Sequence, residues 1–299
     1  MKRLLLTGAR GFVAGSVLRQ ADAQWTVHAL SRGDGFVTSR VHWHHFDPRG
    51  ARELSDLFRT VRPEVVVHTV AVADIDYCET HREEARQVNV ELTRALAELC
   101  AVHGAKLVFC STDTIFDGEH APYREGDTAG PVNFYARTKV EAEQIVAQSG
   151  APAVIARLAL VVGLPVFGAG NSFLAKMVAA LRAGRAVPMP TNEIRTPIDV
   201  LTLGRALLEL ADGPHTGTFH LAGNESLSRF EMGRRIATRF DLPTQLVVAT
   251  DPARMPGRAR RARDVSLDNA KARVQLSTPM LNLDPALDLV LKCAGDARS

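Results

Sequence analysis

Tyr135 and Lys139 are the two side chains of this sequence best suited to acid–base chemistry, and they stand four positions apart. Because residues at i and i+4 of a helix share a face, the lysine ammonium can approach the phenol. A nearby cation stabilises phenolate and lowers the pKa of tyrosine from its usual value of about 10, which suits proton transfer near neutral pH. Upstream, Ser111 and Thr112 end an apolar segment and supply hydroxyl groups. Together these residues indicate chemistry on a carbonyl or an alcohol.

A glycine turn near the start of the chain predicts a dinucleotide site. Gly8, Gly11 and Gly15 follow a short apolar segment and open a helical pattern. Such a turn lets backbone N–H groups approach a pyrophosphate at the positive end of a helix, although a plain strand-to-helix turn is the alternative. Its position directly after an N-terminal strand favours cofactor binding. The predicted contacts of the turn are Gly8, Arg10, Gly11, Phe12 and Val13.

The end of the second predicted strand indicates which cofactor is used. A dinucleotide fold that prefers NAD usually carries an acidic residue there, which holds the ribose hydroxyls. This sequence has Ser31 and Arg32 instead, and because an arginine can pair with a 2′-phosphate, NADP is favoured over NAD. Asp47 can accept a hydrogen bond from the adenine amino group, with a solvated loop aspartate as the alternative.

The elements that must position these residues alternate between short apolar segments and helical patterns. Repeated β-α-β units imply right-handed crossovers, and strands that are apolar throughout are typical of a parallel sheet covered on both faces. We therefore predict an α/β fold, a Rossmann-like doubly wound parallel sheet with a smaller α/β substrate-binding domain. The predicted boundaries are 1–160 for the dinucleotide-binding domain, with a returning segment around 195–222, and 161–299 for the domain that mainly binds substrate.

Individual elements follow from the same patterns. Ser228, with Glu231 three residues later, predicts the capped start of a helix. A loop rich in Gly and Pro is predicted at 163–170, and a mobile loop rich in Arg at 252–263. Predicted strands cover 4–7, 26–30, 65–69, 106–110, 153–157 and 218–222, and predicted helices cover 52–60, 83–103, 135–149, 172–183 and 201–211.

Composition bounds the function. The chain has 299 residues, 46% of them hydrophobic and 23% charged, which is ordinary for a globular protein, and its net charge of +3 is too small to indicate nucleic acid binding. The four cysteines form no C-x-x-C pair, which favours reduced thiols and a cytoplasmic protein. The first apolar run ends at Gly8, too short for a signal peptide, and no stretch reaches the roughly 20 apolar residues that cross a bilayer.

His42 and His44 share a strand face, but no second ligand group converges on them, so we expect no metal site.

Several longer motifs resemble one known family. T-G-A-R-G-F near the start, S-T-D-T-I-F-D-G at 111–118 with P-Y-R-E after it, and Y-A-R-T-K at 135–139 are similar to the extended short-chain dehydrogenase/reductases. Within these, the sequence most resembles the dTDP-4-dehydrorhamnose reductases, almost from end to end. The resemblance implies reduction of the 4-keto group of a nucleotide-linked 6-deoxysugar by NADPH.

The resemblance also implies a role for each matching residue. Thr112 would polarise the substrate carbonyl, Tyr135 would supply the proton, and Lys139 would hold the nicotinamide ribose and tune the tyrosine. Asn89 matches an asparagine that orders the cofactor end of the site. The residues that would bind substrate are Asp113, Asn171 and Arg195.

Departures from the family pattern gather on the substrate side. Thr114 replaces an aromatic residue, and Ala71-Val-Ala73 replaces an A-Y-T segment. Arg195 is more typical of the wider nucleotide-sugar enzymes, in which an arginine meets the diphosphate. The arginines of 258–263 are either a second diphosphate group or a solvated basic loop.

Two other functions stay open. The first is a nucleotide-sugar epimerase or dehydratase, which holds NAD tightly; Ser31 and Arg32 argue against it. The second is a non-catalytic NADP-binding subunit, since the regulatory β subunit of methionine adenosyltransferase also resembles these reductases. The sequence leaves open whether the chain acts as a monomer or a homodimer.

Overall fold

The computed structural model describes residues 1–35, 39–49, 52–167, 171–252 and 257–296. Parts of two predicted loops, 168–170 and 253–256, lie outside these described residues. The strands are β1 (Lys2–Thr7), β2 (Trp25–Ser31), β3 (Val41–His45), β4 (Val65–His68), β5 (Lys106–Thr112), β6 (Ala153–Leu158), β7 (Val161–Val162), β8 (Val187–Pro190), β9 (Ile194–Arg195), β10 (Ile198–Asp199), β11 (Gly217–Leu221), β12 (Leu227–Ser228) and β13 (Val247–Thr250).

The helices lie between these strands, mostly as crossovers. A π-helical turn, Gln87–Glu91, joins α4 to α5, and short 3₁₀ turns follow β5 and precede β13. The α-helices are α1 (Phe12–Gln20), α2 (Arg52–Val61), α3 (Ile75–Thr80), α4 (Arg82–Arg86), α5 (Leu92–His103), α6 (Phe134–Gln148), α7 (Phe173–Arg182), α8 (Val200–Asp212), α9 (Arg229–Arg239), α10 (Ala270–Gln275) and α11 (Leu283–Asp296).

Seven strands form the main sheet in the order β11-β6-β5-β4-β1-β2-β3, and every neighbouring pair is parallel. The chain order reverses between β1 and β4, so the crevice for a ligand opens outside the carboxyl ends of these strands. Successive side chains of β1 feed two different apolar cores, Leu4 and Leu6 on one face and Leu5 on the other. Burial on both faces explains why the strand is apolar throughout. The predicted doubly wound parallel sheet is confirmed.

The second half of the chain builds a separate apolar cluster beside the sheet. Leu174 and Met177 of α7 pack there with Met232 and Ile236 of α9 and Leu287 of α11. Small two-stranded pairs, β7 with β10, β8 with β13 and β9 with β12, border this cluster. Helix α8 packs on α1 and strand β11 extends the main sheet, so two elements from beyond residue 160 join the first half of the chain. The predicted domain boundary near residue 160 stays a prediction.

Most predicted elements are present with small shifts at their ends. Ser228 caps α9 as predicted, with its Oγ accepting from the Glu231 N–H at 3.0 Å. The predicted helix over 83–103 contains the π-helical turn, which the sequence pattern did not predict. Strand β3 lay outside the predicted strand set. Within the described ranges, no helix is long and apolar enough to cross a membrane.

Candidate functional site

A cavity of about 830 Å³ opens at the carboxyl ends of the parallel strands. The glycine turn after β1 forms one part of its wall, and the ends of β5 and α6 form another. Segments distant in the sequence therefore meet in one cleft, as a doubly wound sheet requires. The predicted site residues that line it are Gly8, Arg10, Gly11, Phe12, Val13, Ser31, Arg32, Thr112, Asp113, Tyr135 and Asn171.

The glycine turn leaves room for backbone to approach a ligand. Gly8 has φ of +68°, which side-chain-bearing residues rarely adopt, and a Cβ there would lie 3.0 Å from the side chains of Thr69 and Val70. The Gly11 N–H donates to the Gly8 carbonyl at 2.6 Å, and a Cβ on Gly11 would stand 2.9 Å from that oxygen. Since α1 begins directly after Gly11, this cradle and the helix N-terminus fit a pyrophosphate.

The opposite end of the cradle is basic. Arg10 and Arg32 both line the cavity, and the Arg10 guanidinium donates to the carbonyl of Asp34. The Ser31 hydroxyl accepts from the Gly33 N–H at 3.0 Å and so shapes the turn after β2. Two guanidinium groups beside the same wall provide positive charge for an anionic group on a nucleotide.

Asp47 is not a lining residue of the cavity. Its carboxylate is paired with Arg49, whose guanidinium approaches to 2.6 Å, and both side chains are largely exposed. Hydrogen bonds from Arg49 lower the pKa of Asp47 to about 2. Adenine binding by Asp47 therefore stays a prediction, and in the structure the carboxylate serves an ion pair.

The relation between Tyr135 and Lys139 differs from the one that their spacing predicts. Both side chains are buried on α6, but the Lys139 ammonium donates to the carbonyl of Cys110 at 2.8 Å and lies 4.0 Å above the ring of Phe109. Burial raises the pKa of Tyr135, and the charge of Asp113 raises it further. The expected lowering of the Tyr135 pKa is wrong for this arrangement. A phenol with a raised pKa is protonated at neutral pH but is a weaker acid, so proton donation from Tyr135 depends on stabilisation of the phenolate that it leaves.

Hydroxyl and carboxyl groups at the end of β5 face the same cleft. The Thr112 hydroxyl lies 3.1 Å from that of Thr114 and 3.3 Å from a carboxylate oxygen of Asp113. The Ser111 hydroxyl and the second Asp113 oxygen are buried without a hydrogen-bond partner within the described residues. Burial raises the pKa of Asp113 to about 6. Buried polar groups of this kind are costly unless a ligand satisfies them.

Asn89 stands behind the wall of the cavity. Its side-chain amide accepts from the Val72 N–H at 2.8 Å and donates to the Val72 carbonyl at 3.1 Å and to the Thr138 hydroxyl at 3.0 Å. Val72 lines the cavity, whereas Asn89 does not. Asn89 lies in the π-helical turn, a feature that is frequent at functional sites.

Arg195 lies away from the cavity lining. It is buried, and its guanidinium donates to the carbonyls of Ile194 at 2.6 Å, Ala262 at 3.3 Å and Arg263 at 3.4 Å. Arg195 nonetheless acts electrostatically on Asp113, which does line the cavity. A diphosphate contact for Arg195 stays a prediction.

The predicted basic loop is held in place by carboxylates where the structure describes it. Arg258 pairs with Glu193, and Arg261 pairs with Asp76 of α3 at 2.8 Å. The Arg260 carbonyl accepts from the side chain of Asn133 at 3.0 Å. These bonds tie residues 258–261 to three separate parts of the chain, at Asp76, Asn133 and Glu193, so this part of the loop is not simply a solvated basic tail.

The predicted histidine pair stacks on a third histidine. His42 and His44 flank His28 with ring centroids 5.0 and 5.2 Å away. Within the ranges that the structure describes, no group of three or more His, Cys, Asp or Glu side chains is arranged to hold a metal ion.

Sequence patterns missed much of the remaining lining. The missed residues share one property: most of them follow the carboxyl end of a parallel strand. That position alone would have identified them, because ligands of doubly wound sheets bind there. After β4 they are residues 69, 70, 72, 74 and 75, and from the end of β6 into β7 they are residues 158–161. The others are Leu30, Gly33, Phe46, Pro48 and Phe173.

Comparison with known proteins agrees with this geometry. The family described as RmlD substrate binding domain matches residues 1–294. The chain belongs to the RmlD family. The resemblance to dTDP-4-dehydrorhamnose reductases and to the extended short-chain dehydrogenase/reductases is thereby confirmed.

Two relatives at about 30% identity have different names. Methionine adenosyltransferase 2 subunit beta from Bos taurus is 32% identical over 273 residues, covering 89% of this chain and 80% of the relative. dTDP-4-dehydrorhamnose reductase from Mycobacterium tuberculosis is 30% identical over 306 aligned positions, covering 100% of this chain and 95% of the relative. RmlD family membership is thus compatible with an enzyme and with a subunit.

Solved structures of the RmlD type confirm the fold. dTDP-4-dehydrorhamnose reductase from Bacillus anthracis, in complex with NADP, has a TM-score of 0.87 at 22% identity, over 97% of this chain and 99% of that chain. A hypothetical dTDP-4-dehydrorhamnose reductase from Sulfolobus tokodaii has a TM-score of 0.83 at 30% identity, over 94% and 98% of the two chains. The Rossmann-like α/β architecture is shared throughout.

Proposed function

We propose that this protein is an NADPH-dependent reductase of the 4-keto group of a nucleotide-linked 6-deoxysugar, with Tyr135 as proton donor. The observation that carries this proposal is the cleft itself, which brings the buried Tyr135 phenol and the Thr112 hydroxyl into the same cavity as the glycine cradle. In this proposal residues 1–160, with the return around 195–222, bind the cofactor, and 161–299 mainly bind the sugar nucleotide.

The chain's own residues suit this chemistry. The dinucleotide, when bound, supplies the hydride. Thr112 would donate a hydrogen bond to the carbonyl oxygen and stabilise the negative charge that develops there. Tyr135 would then give its proton to that oxygen. The Lys139 ammonium, one helical turn away on α6, would offset the charge left on the phenolate once it turns from the Cys110 carbonyl. Asp113, whose free oxygen is buried at the cavity wall, would bind a sugar hydroxyl.

Arg10 and Arg32 support a preference for NADP. Both line the cradle wall on the side of β2, where an NAD enzyme usually has an acidic residue. A 2′-phosphate would receive charge-assisted hydrogen bonds from either guanidinium, whereas an unphosphorylated ribose would leave both cations without an anionic ligand.

The direct test is oxidation of NADPH in the presence of dTDP-4-dehydro-6-deoxy-L-mannose prepared in situ, with NADH run beside it. We expect rapid oxidation with NADPH and slow oxidation with NADH. The matched control is Tyr135→Phe, which keeps the ring and removes the proton. Binding of NADPH without oxidation of any 4-keto sugar nucleotide would contradict the proposal. Net interconversion of sugars with no net NADPH consumption would support the epimerase or dehydratase alternative.

A second candidate is a non-catalytic NADP-binding subunit. The 32% identity to methionine adenosyltransferase 2 subunit beta favours it. Such a role leaves the Thr112 and Tyr135 hydroxyls in the cleft, and the buried Lys139 one helical turn from Tyr135, without a purpose. Tight NADPH binding, no turnover of any sugar nucleotide and co-purification with a methionine adenosyltransferase catalytic chain would together favour this candidate over the reductase.

A further inference from the structure

Helix α6 carries a third buried polar side chain beyond the two that the proposed chemistry uses. Tyr135, Lys139 and Glu143 follow one another at intervals of four residues, and all three are buried. Residues spaced in this way lie on one face of a helix, with neighbouring Cβ atoms about 5–6 Å apart. The Cβ of Glu143 therefore lies one helical turn C-terminal to that of Lys139, on the same buried face of α6.

Glu143 is held firmly by Arg157 of β6. The Arg157 Nε donates to both carboxylate oxygens, at 3.1 and 3.2 Å, and a terminal nitrogen donates to one of them at 2.9 Å. Arg157 is itself anchored to the Glu125 carbonyl at 3.1 Å and lies 3.4 Å from the Nε2 of His220. A fork-like contact of this kind fixes the carboxylate in both position and orientation.

The Lys139 ammonium has few other sources of negative charge. Burial lowers the pKa of Lys139 to about 8, while Cys110 and Glu143 oppose that lowering. Burial raises the pKa of the Cys110 thiol to about 12, so this thiol is uncharged near pH 8. His68, whose pKa burial lowers to about 3, and Tyr135, whose pKa is raised, are uncharged there too. Among the described groups that act on Lys139, Glu143 is the one that supplies negative charge near pH 8.

We propose that Glu143, fixed by Arg157, is a positioning residue that supplies the buried negative charge needed to keep the Lys139 ammonium charged. One part of this inference rests on the proposed function, namely that the charge on Lys139 serves to act on the cofactor and on Tyr135. The arrangement itself is a property of the unliganded chain. It assigns a task to a buried ion pair that lies outside the cavity lining.

The test measures the titration of Lys139 directly. The chain has six lysines, so ¹³C labelling of the lysine ε carbon gives few NMR signals, and Lys139→Arg identifies the one in question. In Glu143→Gln we expect the midpoint of Lys139 to move down by about one pH unit or more, because the carboxylate is lost while the Arg157 charge remains. In Glu143→Asp, which keeps the charge, the midpoint should lie closer to that of the original chain.

The matched control is Glu141→Gln. It removes the same charge from the same helix, at a position whose carboxylate pairs with Arg86 at the surface, and it should leave the Lys139 midpoint unchanged. Should Glu143→Gln not fold, the double variant with Arg157→Met removes both charges of the ion pair, and the Lys139 midpoint should still move down, but by less than in Glu143→Gln alone. An unchanged Lys139 midpoint in folded Glu143→Gln, or in the folded double variant, would overturn the inference. Because the titration needs neither cofactor nor sugar, that result would leave the proposed function standing, and a failed turnover assay would leave the inference standing.

Discussion

The side-chain amide of Asn89 binds both polar groups of the Val72 main chain, accepting from its N–H at 2.8 Å and donating to its carbonyl at 3.1 Å. This paired contact satisfies the N–H and the carbonyl of one residue after β4, as hydrogen bonds from a neighbouring strand would. It fixes one residue of a cavity-lining segment from a helix that does not itself reach the cavity. Asn89 thus orders the site indirectly, through backbone geometry.

Asn89→Ala should weaken cofactor binding as well as the fold. The variant leaves the Val72 N–H and carbonyl without their partner, at a cost of about 1–3 kcal/mol, and frees the wall to move. We expect the Kd for NADPH to rise roughly 10-fold, as measured by nucleotide fluorescence. Thr138→Val is the control, since it removes a contact of Asn89 but keeps the Val72 clamp. Equal Kd values in Asn89→Ala and the original chain would show that the wall is ordered by other contacts.

Tyr135→Phe should keep NADPH binding and lose most of the turnover. Removing a general acid typically costs about 10²–10⁴-fold in rate, while the ring that packs with Cys78 is retained. Stopped-flow measurement of NADPH oxidation, with the Kd measured on the same sample, separates the two effects. Turnover close to that of the original chain would assign the proton to another group.

Arg32→Ala should reduce affinity for NADPH far more than for NADH. A charge-assisted hydrogen bond to a 2′-phosphate is worth about 1.5–3 kcal/mol, so a loss of roughly 10–100-fold is expected for NADPH and little change for NADH. Arg10→Ala tests the second cation on the same wall. Arg49→Ala is the control, because it removes a nearby surface arginine that pairs with Asp47. Equal losses for the two cofactors would remove the argument for a 2′-phosphate contact.

His68 should make the fold sensitive to acid. It is buried, with its ring nitrogens 2.8 Å from the Thr7 hydroxyl and 3.1 Å from that of Thr93, and burial lowers its pKa to about 3. On acidification, the His68 side chain therefore takes up a proton near pH 6.5 in the unfolded chain but only near pH 3 in the folded chain. Stability from this group is present above pH 6.5 and falls as the pH drops towards 3, by about 2–3 kcal/mol at pH 4.5.

The measurement for His68 is urea unfolding at pH 7 and at pH 4.5 for the original chain and for His68→Gln. We expect the variant to be less stable at pH 7 but to lose less stability on acidification, because glutamine does not titrate. A stability difference between the two pH values that is the same in both proteins would assign the acid sensitivity to other groups.

Local patterns predicted the parts of the site that depend on local conformation. The glycine cradle follows from Gly8 and Gly11, because glycine tolerates the positive φ of Gly8 and the close contacts of this turn, and the helical face of Tyr135 and Lys139 follows from their separation. What the patterns did not predict depends on partners distant in the chain. The Lys139 contact with the Cys110 carbonyl spans 29 positions, and no periodicity encodes where that carbonyl lies.

The same distinction explains the direction of the Tyr135 pKa. Spacing predicts that the ammonium approaches the phenol, but burial is a property of the assembled core and acts more strongly. Arg195 gives a second case, because its guanidinium bonds to the Ala262 carbonyl, 67 residues away. Motif matching assigned this side chain to a ligand, which stays a prediction, and the motif did not encode the backbone partners that the guanidinium has in the structure.

Strand β11 pairs with β6 along its whole length, from Gly217 against Val154 to Leu221 against Leu158. A fragment ended at residue 160 would therefore expose the N–H and carbonyl groups of β6 as a new, apolar sheet edge. Exposed edges of this kind recruit other chains, so such a fragment should aggregate. During synthesis, roughly sixty residues beyond position 160 must be made before β11 can pair with β6, so this edge of the sheet stays unpaired until then.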